Sequence, residues 1–549
     1  MTNLLISKPE TKSGIKTKPA ITTCAKALVE ALAELGTDTI FGYPGASVLS
    51  IYNELSLNEN IKHILVRHEQ AAVHAAEGYA RVSGKPGFVV VTSGPGFTNT
   101  ITGIANAHAD STPLVVLVGD VPSNSKNGKI FQKVDILSIT KSCSKKNYTV
   151  TSKDDIKQVI KEAYEVANSG DKGPVVIALP RNILESKYSA KIKKDLYKKR
   201  VPLVNEIDIK KTIKLLSSAK SPLLLLGGGA VDAVESIKKL VNKLNIPVVS
   251  TLMGIGICPS EDKRYLGMIG INGSYPANTA INNADLIIAL GVSFSDRSTC
   301  KSEKFAPKAK IISVNTKKSI SFFELALHAD ARMFVDALLM RLDGTFNYLK
   351  WLENTEILKQ EIIKKDLSSD ALNSSCVLDT IYKKTKSLNP VVVTDVGQHQ
   401  MLTAQFFNFK EPKKFITSGG LGTMGFGLPA SIGAQIAYPK SLVLNITGDG
   451  SFQMNLQELA TCREHNIPIK IIIMNNGYLG MVRQMQEKIY NNLYQVEMSN
   501  PDFTKIAEAY DLFALRVSKY SELEPALEKA LSHNGTALVD IAIDSFEEI

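Results

Sequence analysis

The chain has 549 residues, 44% hydrophobic and 21% charged, the composition of an ordinary soluble globular protein of about three domains. Its formal charge of +10 is spread too widely for a nucleic-acid footprint, and no run approaches the ~18 apolar residues of a membrane helix. Cys24, Cys143, Cys258, Cys300, Cys376 and Cys462 lack CxxC spacing, which argues against zinc or a disulfide framework and for a reducing cytoplasm.

Residues 1–20 carry Lys8, Lys12, Lys16 and Lys18 without an apolar core and read as a disordered tail, not a targeting peptide. Apolar runs at 40–41, 64–66, 88–91, 114–118 and 175–179 then alternate with amphipathic segments, predicting a parallel sheet with helices on both faces over residues 21–185. A connector over 186–200, dense in Lys191, Lys193, Lys194, Lys198, Lys199 and Arg200, suits a solvated linker. Runs at 223–226, 247–250, 286–290 and 311–314 predict a second α/β domain over 201–345. Residues 346–376 hold the single tryptophan, Trp351, among many Lys, Glu and Ser residues, and read as a helical surface linker. Runs at 391–394, 442–447, 469–474 and 537–543 predict a third domain over 377–549. The fold class is therefore α/β, three doubly wound parallel sheets with a Rossmann-like central domain. Glycine-rich turns at Ser93-Gly94-Pro95-Gly96 and Ser418-Gly419-Gly420-Leu421-Gly422 suit close approach of backbone to ligand.

Gly448-Asp449-Gly450 closes one strand of the third domain and Asn475-Asn476 closes the next, with Leu456, Leu459, Ala460 and Arg463 at helical spacing between them. A strand-helix-strand crossover makes the strands parallel and brings Asp449 and Asn476 to one edge. Either piece alone is more often a turn. Together they offer hard oxygens suited to Mg²⁺ or Ca²⁺, whose shell phosphate oxygens complete, while the glycines admit backbone N–H groups to the anion. With Gly448, Gly450 and Ser451 beside the aspartate, the pattern resembles the cofactor site of thiamine-diphosphate enzymes. No Gly-Lys-Ser/Thr follows a glycine loop, which leaves a nucleoside-triphosphatase reading without its lysine.

His68-Glu69-Gln70 lies at a strand-to-helix junction. A first-turn glutamate is ordinarily a helix-dipole partner. His68 and His74 fall on different faces of a helix, against the i,i+4 spacing of HExxH zinc sites. A thiamine enzyme, however, needs one carboxyl beside the aminopyrimidine ring as a proton relay, and Glu69 is the candidate activator.

The chain then resembles acetolactate synthases of the catalytic-subunit type over residues 21–543. The likeness is carried by Gly42-Tyr43-Pro44-Gly45, His68-Glu69-Gln70, residues 92–99, Phe131-Gln132, Val396-Gly397-Gln398-His399-Gln400-Met401, Gly422-Thr423-Met424-Gly425-Phe426-Gly427 and residues 448–458. It implies thiamine-diphosphate-dependent decarboxylation of pyruvate and transfer of a two-carbon unit to a second 2-keto acid, giving 2-acetolactate, or 2-aceto-2-hydroxybutyrate from 2-ketobutyrate. It further implies that Asp449, Asn476 and the Tyr478 carbonyl bind Mg²⁺. Pro44, Gly45, Pro95, Asn99, Gln398, His399, Gly448, Gly450, Ser451, Leu479, Gly480 and Met481 would surround the cofactor, with Gly422 and Met424 against the aminopyrimidine. Gln132 and Lys145 match catalytic positions. FAD in a structural role is implied by Gly227-Gly228-Gly229, Thr251-Leu252-Met253, Asp296-Arg297 and Asp330-Ala331. A homodimer or homotetramer is expected, with the cofactor between the first domain of one subunit and the third of its neighbour, and a separate regulatory subunit is a candidate partner.

Four positions depart from the family pattern. Ser293 and Met485 replace an arginine and a tryptophan of the acceptor pocket, to which Ala46, Phe131 and Met481 also belong; Ala46 replaces a glycine; Asn315 stands where an acid would hold the FAD ribose. These leave open a carboligase that uses another acceptor, such as an aldehyde or keto-sugar. A pyruvate oxidase-like enzyme and a catalytically silent scaffold are the remaining alternatives.

Overall fold

The computed structural model describes residues 22–125, 129–189, 204–300, 304–317, 323–344, 346–360 and 372–547. The tail over 1–20, the lysine run over 191–200 and part of the expected linker fall outside these residues. Each domain is built on a six-stranded, wholly parallel sheet. The first contains Thr39–Gly42 (β1), Lys62–Leu65 (β2), Gly87–Val91 (β3), Leu114–Asp120 (β4), Lys146–Thr149 (β5) and Pro174–Pro180 (β6), in the order β2-β1-β3-β4-β6-β5. The second contains Pro222–Leu226 (β7), Val248–Ser250 (β8), Tyr265–Met268 (β9), Leu286–Leu290 (β10), Lys310–Asn315 (β11) and Leu325–His328 (β12), in the order β12-β11-β10-β7-β8-β9. The third contains Val391–Thr394 (β13), Phe415–Ile416 (β14), Val443–Gly448 (β15), Lys470–Asn475 (β16), Phe513–Val517 (β17) and Ala537–Ala542 (β18), in the order β14-β13-β15-β16-β18-β17. The first and third sheets thus share one strand order. Helices on both faces bury the central strands, which is why those strands are dominated by apolar residues such as Val, Ile and Leu.

The helix Glu69–Ser83 is alanine-rich, a composition of high helix propensity, and ends at Gly84 in the left-handed conformation that glycine adopts freely (φ 78°). It packs against Gly427–Ala437, which occupies the corresponding place beside the third sheet. An added Cβ at Gly78 would overlap the Ala430 carbonyl, and one at Gly433 the Ala75 carbonyl. The two domains therefore meet backbone to backbone, and both helices are buried almost all round.

The stretch expected as a surface linker is in part docked. In the helix Leu349–Gln360, Trp351 is buried and its indole donates to the Pro222 carbonyl at 3.0 Å, pinning the helix to the start of β7. Residues 186–189 turn back onto the start of the first domain, where the Ser186 carbonyl accepts from the Cys24 amide at 2.9 Å. Among the described residues no helix is long and apolar enough to cross a membrane.

Candidate active site

In the third sheet, chain order reverses between β13 and β15, which opens a crevice at the carboxyl ends of those strands. Three helices, Gln398–Phe406, Asp449–Gln453 and Gly480–Tyr490, present their N-termini to it. Free N–H groups and the positive ends of helix dipoles suit an anion there. The crevice is part of a cavity of about 930 Å³ lined by Gln398, His399, Gly422, Met424, residues 448–451, Asn476 and residues 478–482.

Asp449 is 2% exposed and accepts from Asn500 Nδ2 at 2.6 Å and from the amides of Asn476 and Gly477. Burial pushes its carboxyl pKa up, and these neutral donors only partly oppose that. Asn476 Nδ2 donates to Gln398 Oε1 at 3.1 Å, and its Oδ1 accepts from the Tyr478 amide at 3.0 Å. No group of three His, Cys, Asp or Glu side chains able to hold a metal occurs among the described residues. A single buried carboxylate among amides is the donor set of an ion that takes its other oxygens from phosphate, as Mg²⁺ does. His399 is buried, its pKa pushed down to about 4 by loss of hydration, and its Nε2 has no hydrogen-bond partner. A side chain at Gly480 would run into Gln398 and fill the cradle. The residues present fit a metal-bound diphosphate.

The first sheet has the same reversal between β1 and β3, and a second group gathers there. Asn99 Nδ2 donates to Glu69 Oε2 at 2.9 Å, and the Ser47 and Thr92 hydroxyls share a hydrogen bond of 2.8 Å. Ser93 Oγ donates to Gln132 Oε1 at 3.4 Å, and Gln132 has a left-handed backbone (φ 59°). Pro44, Ala46 and Pro95 are not buried, and Phe131 is 85% exposed. None of Glu69, Asn99, Gln132 or Phe131 reaches the cavity of the third sheet. Within one chain Glu69 and the crevice of the third sheet are separate.

The central sheet reverses between β7 and β10. Gly227, Gly229 and Gly291 approach so closely that a Cβ on any of them would collide with the facing backbone. Gly228, Gly229, Thr251, Leu252, Met253, Ser293, Arg297 and Asp330 line the same cavity as the cradle, whereas Gly227, Asp296 and Ala331 do not. Asp330 Oδ1 caps the helix Ala331–Arg341, accepting from the amides of Arg332 at 3.0 Å and Met333 at 3.1 Å. Asn315 Nδ2 donates to the Val292 carbonyl at 2.9 Å and so ties the end of β11 to the segment after β10. The crevice beside Gly228, Gly229 and Gly291 is open to a ligand, with the Asn315 amide at the end of β11 on its lining.

Three family descriptions match the chain in succession: "Thiamine pyrophosphate enzyme, N-terminal TPP binding domain" over residues 22–139, "central domain" over 209–338 and "C-terminal TPP binding domain" over 395–541. The chain is 40% identical over 545 residues to the acetolactate synthase large subunit of Haemophilus influenzae, an alignment covering 96% of this chain and 95% of that protein. The chain belongs to the acetolactate synthase large-subunit family. Other members are the isozyme 3 large subunit of Escherichia coli, 38% identical over 96% of this chain and 95% of that protein, and the chloroplastic acetolactate synthase 1 of Nicotiana tabacum, 37% identical over 95% and 82%. The two TPP binding domain matches fall on the first and third sheets, those of identical strand order, and the central-domain match on the second.

Lys145, a catalytic candidate from the family likeness, makes two backbone contacts in this chain. Lys145 Nζ donates to the carbonyls of Val166 at 2.6 Å and Ser169 at 2.5 Å, where it closes the C-terminal end of the helix Ile156–Ala167. That ammonium holds a helix end, away from the cavity. Conversely, Asn500 and Asp395 escaped the sequence reading. Asn500 bridges Asp449 and Asn475, and the buried Asp395 accepts from the amides of Val396, Gly425 and Gly427, joining the loops that carry Gln398 and Met424. Asp395 ends the Val391-Val392-Val393-Thr394 run, the same strand-end signal that marks Asp449; nothing local marks Asn500.

Proposed function

We propose that this chain is the catalytic subunit of an acetolactate synthase, which decarboxylates pyruvate and joins the two-carbon unit to a second 2-keto acid. The observation that carries the reading is the buried Asp449 among neutral donors at three converging helix N-termini, in a chain related to such enzymes over nearly its whole length. Asp449, Asn476 and the Tyr478 carbonyl would hold Mg²⁺, and the amides of residues 448–451 and 479–481, with Gln398 and His399, the diphosphate. When bound, thiamine diphosphate supplies an acidic ring carbon and an electron sink for decarboxylation. Gly422 and Met424 orient the ring end. Glu69 relays a proton from its carboxyl, whose Oε2 is steadied by Asn99. Because Glu69 lies outside the cavity of its own chain, we assign it to the site of a second copy, making the enzyme a homodimer or homotetramer. A regulatory subunit is a further expectation from the family likeness.

FAD would occupy the crevice at Gly228, Gly229 and Gly291 in a structural role, and the six free cysteines suit a cytoplasmic enzyme. Ser293, Met481 and Met485 of the expected acceptor pocket line the cavity together with Arg297, an FAD candidate. Met485, 56% exposed, leaves the cavity mouth without an aromatic wall, the one feature that favours a bulkier acceptor such as an aldehyde or keto-sugar.

Incubating the purified protein with pyruvate, thiamine diphosphate and Mg²⁺ tests the assignment. Acetolactate should accumulate without oxygen uptake. Pyruvate consumed without acetolactate rejects the acceptor, and oxygen consumed in proportion to pyruvate points to an oxidase.

A further inference from the structure

The loop over residues 418–427, which carries Gly422 and Met424, is held from below by groups of the first domain that take no part in the site itself. Asn106, Glu77 and His74 are fully buried. Asn106 Nδ2 donates to both oxygens of Glu77, at 3.1 and 2.9 Å, and His74 Nδ1 lies 2.9 Å from Glu77 Oε1. This spends the amide nitrogen of Asn106 on the glutamate and leaves its oxygen for the loop. Asn106 Oδ1 accepts from Ser418 Oγ at 2.5 Å and Thr423 Oγ1 at 3.0 Å, and Ser418 Oγ accepts in turn from the Thr423 amide at 2.8 Å. The two hydroxyls bracket Gly422, whose backbone is left-handed (φ 71°). Glu77 accepts only in this arrangement, so the orientation of the Asn106 amide is dictated and not free to invert.

We propose that Glu77 and Asn106 form a buried positioning pair that fixes the Ser418–Thr423 turn and, through it, the places of Gly422 and Met424 in the coenzyme cradle. The proposal rests on the reading of Gly422 and Met424 as coenzyme contacts. It assigns to the helix Glu69–Ser83 two tasks: its first residue is the activator, and its middle holds the loop of its own chain's cradle. Burial raises the Glu77 carboxyl pKa, while His74 and, at 3.7 Å, Arg81 oppose that shift.

A polarity exchange tests the pair. Asn106→Asp sets two carboxyls face to face. Adding Glu77→Gln restores a donor opposite an acceptor and frees a carboxylate oxygen at position 106 for Ser418 and Thr423. Titration calorimetry of the intact oligomer with thiamine diphosphate and Mg²⁺, alongside hydrogen exchange at residues 419–425, should show about tenfold or more weaker binding and faster exchange in Asn106→Asp, the scale of an unmade buried hydrogen bond. The double variant should recover to within about threefold. A double variant as impaired as the single, or an Asn106→Asp protein with unchanged affinity and exchange, overturns the pair. Should Asn106→Asp not fold, Ser418→Ala removes one contact of the same oxygen, and unchanged affinity and exchange in that variant overturn it equally. Met424→Ala with unaltered affinity would instead overturn the coenzyme reading of the loop.

Discussion

Asp449 is a carboxylate withdrawn from water and answered only by amides, and that imbalance predicts its ligand. Asp449→Ala should abolish Mg²⁺-dependent coenzyme binding measured by calorimetry, since no other acid is available to the ion in the cradle. Asn500→Ala leaves the acid in place without its nearest donor and should weaken that binding by about 1–3 kcal/mol. Glu69 makes the opposite prediction. Glu69→Gln should lower kcat by at least about a hundredfold, the ordinary worth of acid-base catalysis, and leave the calorimetric affinity within a few-fold of the parent. His399 adds a pH dependence. Its pKa is about 4 when folded against an ordinary 6.5, so between those values the unfolded chain binds the extra proton and folded stability falls as pH drops. The whole shift corresponds to ~3 kcal/mol. His399→Asn should flatten that part of the acid limb in urea titrations from pH 7 to 4; profiles that overlay would refute the assignment.

At the scale of elements, the crossing of Glu69–Ser83 with Gly427–Ala437 is the joint of the molecule. Backbone meets backbone at Gly78 and Gly433, so Gly433→Val should destabilise the protein by about 2 kcal/mol or more in denaturant titrations, the range of core overpacking. Equal midpoints for variant and parent would show that the helices part more easily than their packing suggests. The strands divide along another line. Every central strand was legible as an apolar run, because both of its faces are buried. Five edge strands, β5, β9, β12, β14 and β17, were not. β5 reads Lys146-Asn147-Tyr148-Thr149 and no residue in it is fully buried; β17 is similarly half-buried; β14 has two residues. β9 is buried, but its pairing with β8 shifts register and it contains Gly267.

At the scale of the whole molecule, the division of the candidate site between two surfaces predicts complementation. Glu69→Gln and Asp449→Ala are each expected to be inactive. Mixed subunits can pair the intact Glu69 of one chain with the intact Asp449 of another. Random reassortment into two-fold dimers should restore about a quarter of parental activity. No recovery after verified subunit exchange would place the complete site within one chain.

The candidate site was legible from residue order because its proposed residues sit where strands end. Asp449, Asn476, Gln398 and Glu69 each follow a buried apolar run, and a strand end in a parallel sheet is a position that local sequence marks. The likeness to thiamine enzymes and the α/β class rest on those same runs. What tertiary structure alone decided is what each side chain spends its hydrogen bonds on. Lys145, a catalytic candidate by resemblance, is tied to a helix end; Trp351, in an otherwise polar stretch, is buried; Asn500, Asp395 and the Glu77–Asn106 pair hold the cradle from distant parts of the chain. Hydrogen bonds between residues from tens to hundreds of positions apart leave no periodicity or spacing in the sequence, so only the folded arrangement reveals them.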